Sequence, residues 1–277
     1  MARARVNGVD LFYEVAGEGE PLVLVHGSWV DHENWQRVVP RLAQSFRVLV
    51  YDRRGHGRSE SLPGQGSRRQ DEDDLGSLIE AFGAPAHVAA NSFGASTALG
   101  LAARRPELLR SLTAHEPPLM GVVGEEDPQL RPLMAAMQVR LDGVLAAVRA
   151  DEHRLGAQRF VDDVAVGRGG WEQLPERFRE SFAANAPTFA DEQADPDWSR
   201  IDLAGLSDYP GPVMLTFGSE SPPWLPVIVG KLATALGRAQ VRTLVGDGHV
   251  PHLTHPERYA DDLVAFIRSS ELPPAHP

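Results

Sequence analysis

The sequence predicts an α/β fold in which a mostly parallel central sheet is flanked by helices. Short runs rich in Val and Leu alternate with amphipathic stretches through the first half of the chain, which is typical of βαβ units. The runs are uniformly apolar, as expected of strands that are buried on both faces of a sheet. The same rhythm returns near the C-terminus after a long stretch that has helical spacing only.

The predicted elements follow one another in a regular order. The strands of the first half are Leu22–Val25, Val48–Tyr51, Val88–Ala90 and Leu109–Ala114. The amphipathic stretches between them are Trp35–Ala43, Leu75–Phe82 and Ala95–Ala103. The later elements are the strands Val213–Phe217 and Val241–Val245 and the helices Leu225–Leu236 and Pro256–Ile267.

A helical insertion interrupts this pattern after Pro117 and Pro118. Helical spacing extends through Leu130–Arg149, Arg154–Val166 and Leu174–Ala184, with no strand signal in between. We therefore expect a core formed by residues 1–117 and 211–277 and a helical cap over residues 118–210. The cap is rich in Leu, Met and Phe, so we expect most of these side chains to pack on the core and the remainder to line a pocket.

Composition and charge exclude several classes of function. The 38 acidic and 27 basic residues leave a net charge of −11, which repels phosphate backbones and anionic lipid, so neither nucleic acid nor a membrane is expected as a partner. Because the chain has no cysteine, a disulfide framework, a thiolate zinc site and a cysteine nucleophile are excluded. The first residues printed do not have the apolar region of a signal peptide, and no run of about 18 apolar residues occurs in the sequence. We expect a cytoplasmic protein that acts on a small molecule without a cofactor.

The segment His87–Ser96 runs from a predicted strand into a predicted helix and carries Ser92 at the junction. Ala90 and Gly94 flank this serine two residues away on either side, as a sharp, strained turn without room for larger side chains requires. The segment resembles the nucleophile elbow of α/β hydrolases, G-x-S-x-G, with Ala90 in place of the first glycine. A serine that merely caps the following helix is the alternative interpretation.

Two further loops resemble the same family. The segment Val25–Trp29 follows a predicted strand at the place where the resemblance puts the oxyanion loop. An oxyanion hole needs two backbone N–H groups, and the resemblance implies those of Ser28 and Phe93. His26 precedes a glycine at a strand end, so we assign it a supporting role rather than that of a base. The segment Tyr51–Ser59 resembles the D-x-R-G-x-G-x-S loop of the family and is interpreted as loop architecture.

His249 is the candidate general base. It follows the last predicted strand and precedes the last helix, where the resemblance places the catalytic histidine. Imidazole titrates near neutral pH, so it can accept the serine proton and return it to the leaving group. His249, His252 and His255 are spaced by three, which raises the alternative of a metal cluster. Carboxylates at matching spacing are absent, and we expect no metal.

Two glutamates are candidates for the acid that orients the histidine. The family usually has G-x-x-D after the strand Val213–Phe217, but here Ser221 occupies the aspartate position and Glu220 lies one residue earlier. Glu116 ends the strand after the elbow helix, and two prolines follow it, which presents it rigidly at the sheet edge. Certain haloalkane dehalogenases resemble this arrangement. We prefer Glu116 and retain Glu220 as the alternative acid.

Together these motifs predict a serine hydrolase of the α/β-hydrolase fold with a Ser-His-Glu triad. Their order is oxyanion loop, serine, acid and histidine, and the resemblance spans nearly the whole chain outside the insertion. The expected reaction is cleavage of an ester, lactone or thioester of a small to medium hydrophobic substrate through an acyl-enzyme. Acyl transfer, carbon–carbon cleavage, perhydrolysis and cofactor-free cyclisation use the same groups and stay open. A non-catalytic ligand-binding protein is less favoured, because a binder has no need for a strained nucleophile.

Overall fold

The strands form one sheet in a computed structural model of the chain, which describes residues 2–62, 64, 66–123 and 130–271. They are β1 (Ala2–Val6), β2 (Val9–Ala16), β3 (Glu20–Val25), β4 (Phe46–Tyr51), β5 (Ala86–Asn91), β6 (Leu109–His115), β7 (Val213–Gly218) and β8 (Gln240–Leu244). The order across this 8-stranded sheet is β1-β2-β4-β3-β5-β6-β7-β8. The pairs β1–β2 and β2–β4 are antiparallel, and the other neighbouring pairs are parallel. The predicted mostly parallel sheet is confirmed.

Helices cover the sheet and fill the connection between β6 and β7. The helices outside this connection are α1 (Val39–Leu42), α2 (Arg68–Phe82), α3 (Phe93–Arg104), α10 (Trp224–Leu236), α11 (Pro251–Thr254) and α12 (Pro256–Glu271). Those inside it are α4 (Arg131–Arg149), α5 (His153–Arg159), α6 (Gly170–Gln173), α7 (Glu176–Ala184), α8 (Ala186–Ala194) and α9 (Leu203–Ser207). None of the helices in the described part of the chain has the length and apolar character that a membrane span requires.

The connection is helical where the sequence predicts a cap, although residues 124–129 lie outside the described part of the chain. The boundaries of the cap, residues 118–210, stay a prediction. The C-terminal residues 272–277 of the predicted core also lie outside the described part.

The apolar core has two layers, one on each face of the sheet. Val23 and Val25 of β3 belong to the layer that includes α2, α3 and α10. Leu22 and Leu24 belong to the opposite layer, against α12. Because side chains alternate across a strand, a strand buried on both faces is apolar at most of its positions. This explains the uniformly apolar runs in the sequence.

Several local predictions differ from the structure. The β1–β2 hairpin was not among the predicted strands, because β1 lies at the sheet edge and its residues alternate between exposed and partly buried. The predicted helix Arg154–Val166 is α5 followed by a π-helical turn, Phe160–Ala165. The predicted helix Leu174–Ala184 begins at Glu176 instead. Pro175 restricts the residue before it to extended backbone, and Leu174 has a ψ of 135°.

The junction between β5 and α3 lies directly against the end of β3. A Cβ atom on Gly94 would come within 2.4 Å of the His26 carbonyl oxygen and 2.6 Å of the Val25 carbonyl oxygen. Both are backbone atoms of the central sheet region, which cannot move away as a flexible side chain can. Only glycine therefore allows α3 to begin at this depth.

We expect Gly94→Ala to lower the free energy of unfolding by about 2 to 3 kcal/mol, because the added methyl group overpacks a site walled by backbone. Urea denaturation followed by circular dichroism measures this loss. Gly230→Ala is the matched control, since Gly230 is an exposed residue of α10 with no atom within 4 Å of the added Cβ. The control should gain up to about 1 kcal/mol from helix propensity. Equal effects of the two substitutions would contradict the packing argument.

Candidate active site

Ser92 occupies the single residue between β5 and α3. Its backbone has φ 55° and ψ −126°, a conformation that is costly for a residue with a Cβ atom. The N–H of Ser92 donates to the carbonyl of His115 on the neighbouring strand, at 2.8 Å. The side chain makes no capping hydrogen bond to α3, which argues against the interpretation of Ser92 as an ordinary N-cap. The turn instead presents the hydroxyl at the edge of the sheet.

His249 and Glu116 are joined by a short hydrogen bond. The Nδ1 atom of His249 lies 2.6 Å from Oε2 of Glu116, and the N–H of Gly218 donates to Oε1 of the same carboxylate at 2.8 Å. Glu116 is fully buried at the end of β6. Its alternative, Glu220, is exposed and accepts a hydrogen bond from the Ser219 hydroxyl. Of the two candidate acids, the structure brings Glu116 to the histidine.

The charge of Glu116 follows from these contacts. Burial raises the pKa of Glu116, but the hydrogen bond from His249 and the neighbouring His115 and His249 outweigh burial and lower the pKa to about 2. The carboxylate is therefore ionised at neutral pH and accepts the proton on Nδ1 of His249. A neutral His249 then has its lone pair on Nε2, the nitrogen that a general base needs. Burial also lowers the pKa of His115 to about 4, so this neighbour is neutral.

Ser92 and His249 border two apolar cavities. The first cavity extends between the sheet and the helical connection and is lined mainly by Pro118, Met120, Met137, Leu141, Phe189, Trp198, Trp224 and Leu225. The second extends toward α7 and α11 and is lined mainly by Leu174, Phe178, Phe182, Val250 and Leu253. Phe160 and Ala165 of the π-helical turn border both. Among the described lining residues of either cavity there is no Lys, Arg, Asp or Glu.

Ser28 and Phe93 lie beside Ser92 on the first cavity. The loop and the elbow approach so closely that a Cβ atom on Gly27 would come within 2.9 Å of the Ser92 Cβ. Within the described residues, the N–H groups of Ser28 and Phe93 donate to no protein acceptor. Two unpaired donors beside the candidate nucleophile match the donor set that an oxyanion hole needs.

His26 contacts the backbone around this loop. Its Nδ1 atom donates to the carbonyl of Gly27 at 2.8 Å, and its Nε2 atom accepts from the N–H of Arg53 at 2.9 Å. Burial, together with the nearby His56 and Arg53, holds the pKa of His26 well below its usual range. A neutral imidazole with both nitrogens occupied braces the loop and has no lone pair left for a substrate proton.

The other histidines of the spaced cluster have separate partners. His252 is buried, with its Nε2 atom 2.7 Å from Nδ2 of Asn34, and His255 lies 2.5 Å from the Asp247 carboxylate. Asp31, His32 and Asp52 are the described group whose potential ligand atoms lie within 4.8 Å of one another. Both oxygens of Asp52 already accept hydrogen bonds, Oδ1 from His32 and Oδ2 from the Arg58 N–H. Asp52 therefore connects the two loops that carry His32 and Arg58.

Two residues beside the site were not predicted from the sequence. Asn91 donates from its side-chain amide to the carbonyl of His249 at 3.0 Å, which ties the histidine loop to the elbow. Its position next to Ser92 was the available signal. Glu192 of α8 accepts a hydrogen bond from the Ser28 hydroxyl at 2.5 Å. Nothing in the sequence around Glu192 indicates this contact, which depends on how α8 packs on the core.

Comparison with known proteins agrees with the fold. The model of the alpha/beta hydrolase family matches residues 22–262. Over 276 residues, 95% of this chain and 100% of the relative, the chain is 31% identical to a pimeloyl-[acyl-carrier protein] methyl ester esterase of Methylococcus capsulatus. It is 29% identical, over 92% of this chain and 89% of the relative, to a 2-hydroxymuconate semialdehyde hydrolase of Pseudomonas sp..

The similarity extends to a solved structure. An alpha/beta hydrolase from Sphaerobacter thermophilus superimposes with a TM-score of 0.77 at 27% identity, covering 96% of this chain and 99% of the other. The chain belongs to the alpha/beta hydrolase family. Its full-length relatives are enzymes, and the α/β-hydrolase fold predicted from the motifs is confirmed.

We expect the stabilising effect of ionised Glu116 to disappear in acid. Since the pKa of Glu116 in the folded chain, about 2, lies below its ordinary value of 4.5, this stability is present above pH 4.5 and is lost as the pH falls toward 2. The free-energy difference between the wild type and Glu116→Gln should therefore shrink over that interval in denaturant titrations. Glu220→Gln, which removes the same charge from an exposed site, is the control. A difference for Glu116→Gln that stays constant with pH would contradict the assignment.

Proposed function

We propose that this chain is a serine hydrolase that cleaves a neutral ester, lactone or thioester with small to medium apolar groups. The observation that carries the proposal is the 2.6 Å hydrogen bond between His249 and the buried Glu116, with the histidine and the strained Ser92 bordering the same apolar cavities. A binding protein has no use for an ionised buried carboxylate held against a histidine beside a strained serine.

In the proposed reaction, Oγ of Ser92 attacks the carbonyl carbon while Nε2 of His249 takes the hydroxyl proton. The Glu116 carboxylate stabilises the resulting imidazolium through Nδ1. The carbonyl oxygen becomes an oxyanion and accepts hydrogen bonds from the N–H groups of Ser28 and Phe93. His249 then protonates the leaving group, which departs and leaves an acyl-Ser92. Water deprotonated by His249 attacks this ester, and the acid product and the free serine are released.

The cavities favour an uncharged substrate. A carboxylate placed in an apolar cavity without a cation loses hydration that nothing replaces, and none of the described lining residues is Lys or Arg. The Pseudomonas relative is named for 2-hydroxymuconate semialdehyde, which carries a carboxylate, whereas the Methylococcus relative is named for a methyl ester. The lining therefore supports ester hydrolysis over carbon–carbon cleavage of an acidic compound.

A serine-directed fluorophosphonate probe and a panel of short and medium nitrophenyl esters test the proposed class. We expect the wild type to be labelled and to hydrolyse the esters, and Ser92→Ala to do neither while retaining the wild-type circular dichroism spectrum. Labelling without ester turnover would support transferase, lyase or cyclase chemistry at the same serine. Absence of labelling in the folded wild type would support a non-catalytic binder.

The charge preference is tested with two esters of equal carbon number. Nitrophenyl hexanoate and the mono-nitrophenyl ester of adipic acid differ by one terminal carboxylate. We expect kcat/KM for the charged ester to be lower by about 100-fold or more, because the apolar cavity gives the carboxylate no partner. Comparable kcat/KM values for the two esters would show that a cation reaches the bound acyl chain.

The acid is tested by Glu116→Gln and Glu220→Gln, which are near-isosteric and each remove one negative charge. In single-turnover acylation we expect Glu116→Gln to be slower by about 10³- to 10⁴-fold, because His249 loses the acceptor that fixes its tautomer. Glu220→Gln should stay within about twofold of the wild type, as expected for an exposed side chain. The reverse result would assign the acid to Glu220 and require a different conformation of its loop.

A further inference from the structure

Glu192 is a buried carboxylate that reaches from the helical connection to the loop beside the nucleophile. It lies on α8 and is 1% exposed. Its Oε2 atom accepts from the Ser28 hydroxyl at 2.5 Å, and its Oε1 atom accepts from the Arg53 guanidinium at 2.5 Å. Arg53 is equally buried and also pairs with Asp71 at 2.8 Å. The proposed chemistry at Ser92 and His249 makes no use of Glu192.

The peptide group between Gly27 and Ser28 is anchored at its carbonyl end. The Gly27 carbonyl accepts from Nδ1 of His26 at 2.8 Å and from Nη1 of Arg53 at 3.1 Å. In a planar trans peptide the C=O and N–H bonds point in opposite directions. Two donors that fix the carbonyl of Gly27 therefore also fix the direction of the Ser28 N–H, which points away from them.

The Ser28 side chain supplies the third anchor of this peptide. Its hydroxyl donates to Glu192, so Ser28 is held both through the peptide group that precedes its Cα atom and through its side chain. The same Arg53 guanidinium lies 4.7 Å from the centre of the Phe93 ring. Arg53 thus contacts the carbonyl behind one candidate oxyanion donor and the side chain of the other, and Glu192 binds both Arg53 and Ser28.

If residue 192 served only to pack α8 against the core, an apolar side chain would be sufficient at this position. Removing a carboxylate from water costs several kcal/mol, which a partner charge offsets incompletely. Phe189, one turn earlier on α8, packs on the core through its ring contacts with Trp29 and Phe160. Glu192 is placed where the serine hydroxyl and the guanidinium both need an acceptor, which an apolar residue cannot provide.

We propose that Glu192 is a positioning residue that holds the Ser28 N–H in the direction required to bind the oxyanion. The proposal rests on the proposed function, because it presumes an oxyanion formed at Ser92. It assigns part of the catalytic geometry to a helix of the connection between β6 and β7. That connection then does more than enclose the substrate, since displacing α8 releases Ser28.

A double-mutant cycle of Glu192→Gln and Ser28→Ala tests this role. In Glu192→Gln the amide oxygen still accepts from Arg53, which also keeps Asp71. The amide NH₂ cannot accept the Ser28 hydroxyl proton, so the charge-assisted hydrogen bond from Ser28 is replaced by a weaker, neutral one of opposite direction. We expect each single substitution to lower kcat for a nitrophenyl ester by about tenfold and to slow fluorophosphonate labelling by the same factor. KM should stay within about threefold of the wild-type value, because the weakened interaction orients an oxyanion donor rather than the bound substrate. Glu192→Gln should add less than about twofold in the Ser28→Ala background.

The control is Asp191→Asn, which removes the same charge from the adjacent, exposed residue of α8 and should leave all rates within about twofold. Equal losses from Glu192→Gln in both backgrounds, in parallel with a lower Tm, would overturn the proposal and indicate that Glu192 only seats α8. Wild-type rates in Glu192→Gln would overturn it as well. A wild type that is neither labelled nor active would instead contradict the proposed function. The cycle distinguishes this outcome from a failure of the Glu192 proposal, because the wild type is measured in the same experiment.

Discussion

The close approach of the first turn of α3 to the end of β3 is the constraint on which the rest of the site depends. The carbonyls of Val25 and His26 leave no space for a Cβ atom at Gly94, and Ser92 leaves almost none for a Cβ atom at Gly27. The turn at Ser92 can be strained because these contacts fix the chain on both sides of it. The same approach brings Ser28 and Phe93 beside Ser92 on one cavity, so a single packing arrangement provides the proposed nucleophile and its proposed oxyanion donors.

Two buried carboxylates are held in different ways around this turn. Glu116 is bound by His249 and by the Gly218 N–H. Burial raises its pKa, but the hydrogen bond from His249 and the neighbouring His115 and His249 lower it to about 2. Glu192 shares Arg53 with Asp71, and burial raises its pKa. A buried charge is tolerated only where hydrogen bonds replace its hydration. In the account proposed here, one carboxylate orients the base and the other orients the oxyanion loop.

Much of the fold could be predicted from the sequence because burial on both faces leaves a local signature. The runs Leu22–Val25, Val48–Tyr51 and Val88–Ala90, which lie in β3, β4 and β5, are apolar at every position, whereas β1 at the edge is not and was missed. The elbow was visible because its strain requires small residues at fixed spacing around Ser92. The choice between Glu116 and Glu220 stayed open, because it depends on where the loop after β8 places His249. Glu192 was missed for the same reason, since its partners Ser28 and Arg53 are far from it in sequence.

The central claim, that Ser92 carries a covalent acyl intermediate, is tested most directly by trapping that intermediate. The wild-type chain would be mixed with a nitrophenyl ester, quenched in acid during the first turnover, digested and analysed by peptide mass spectrometry. The account predicts one acyl group per chain, located on the peptide that contains Ser92. Release of nitrophenol without any acylated peptide, or an acyl group on a residue other than Ser92, would contradict it.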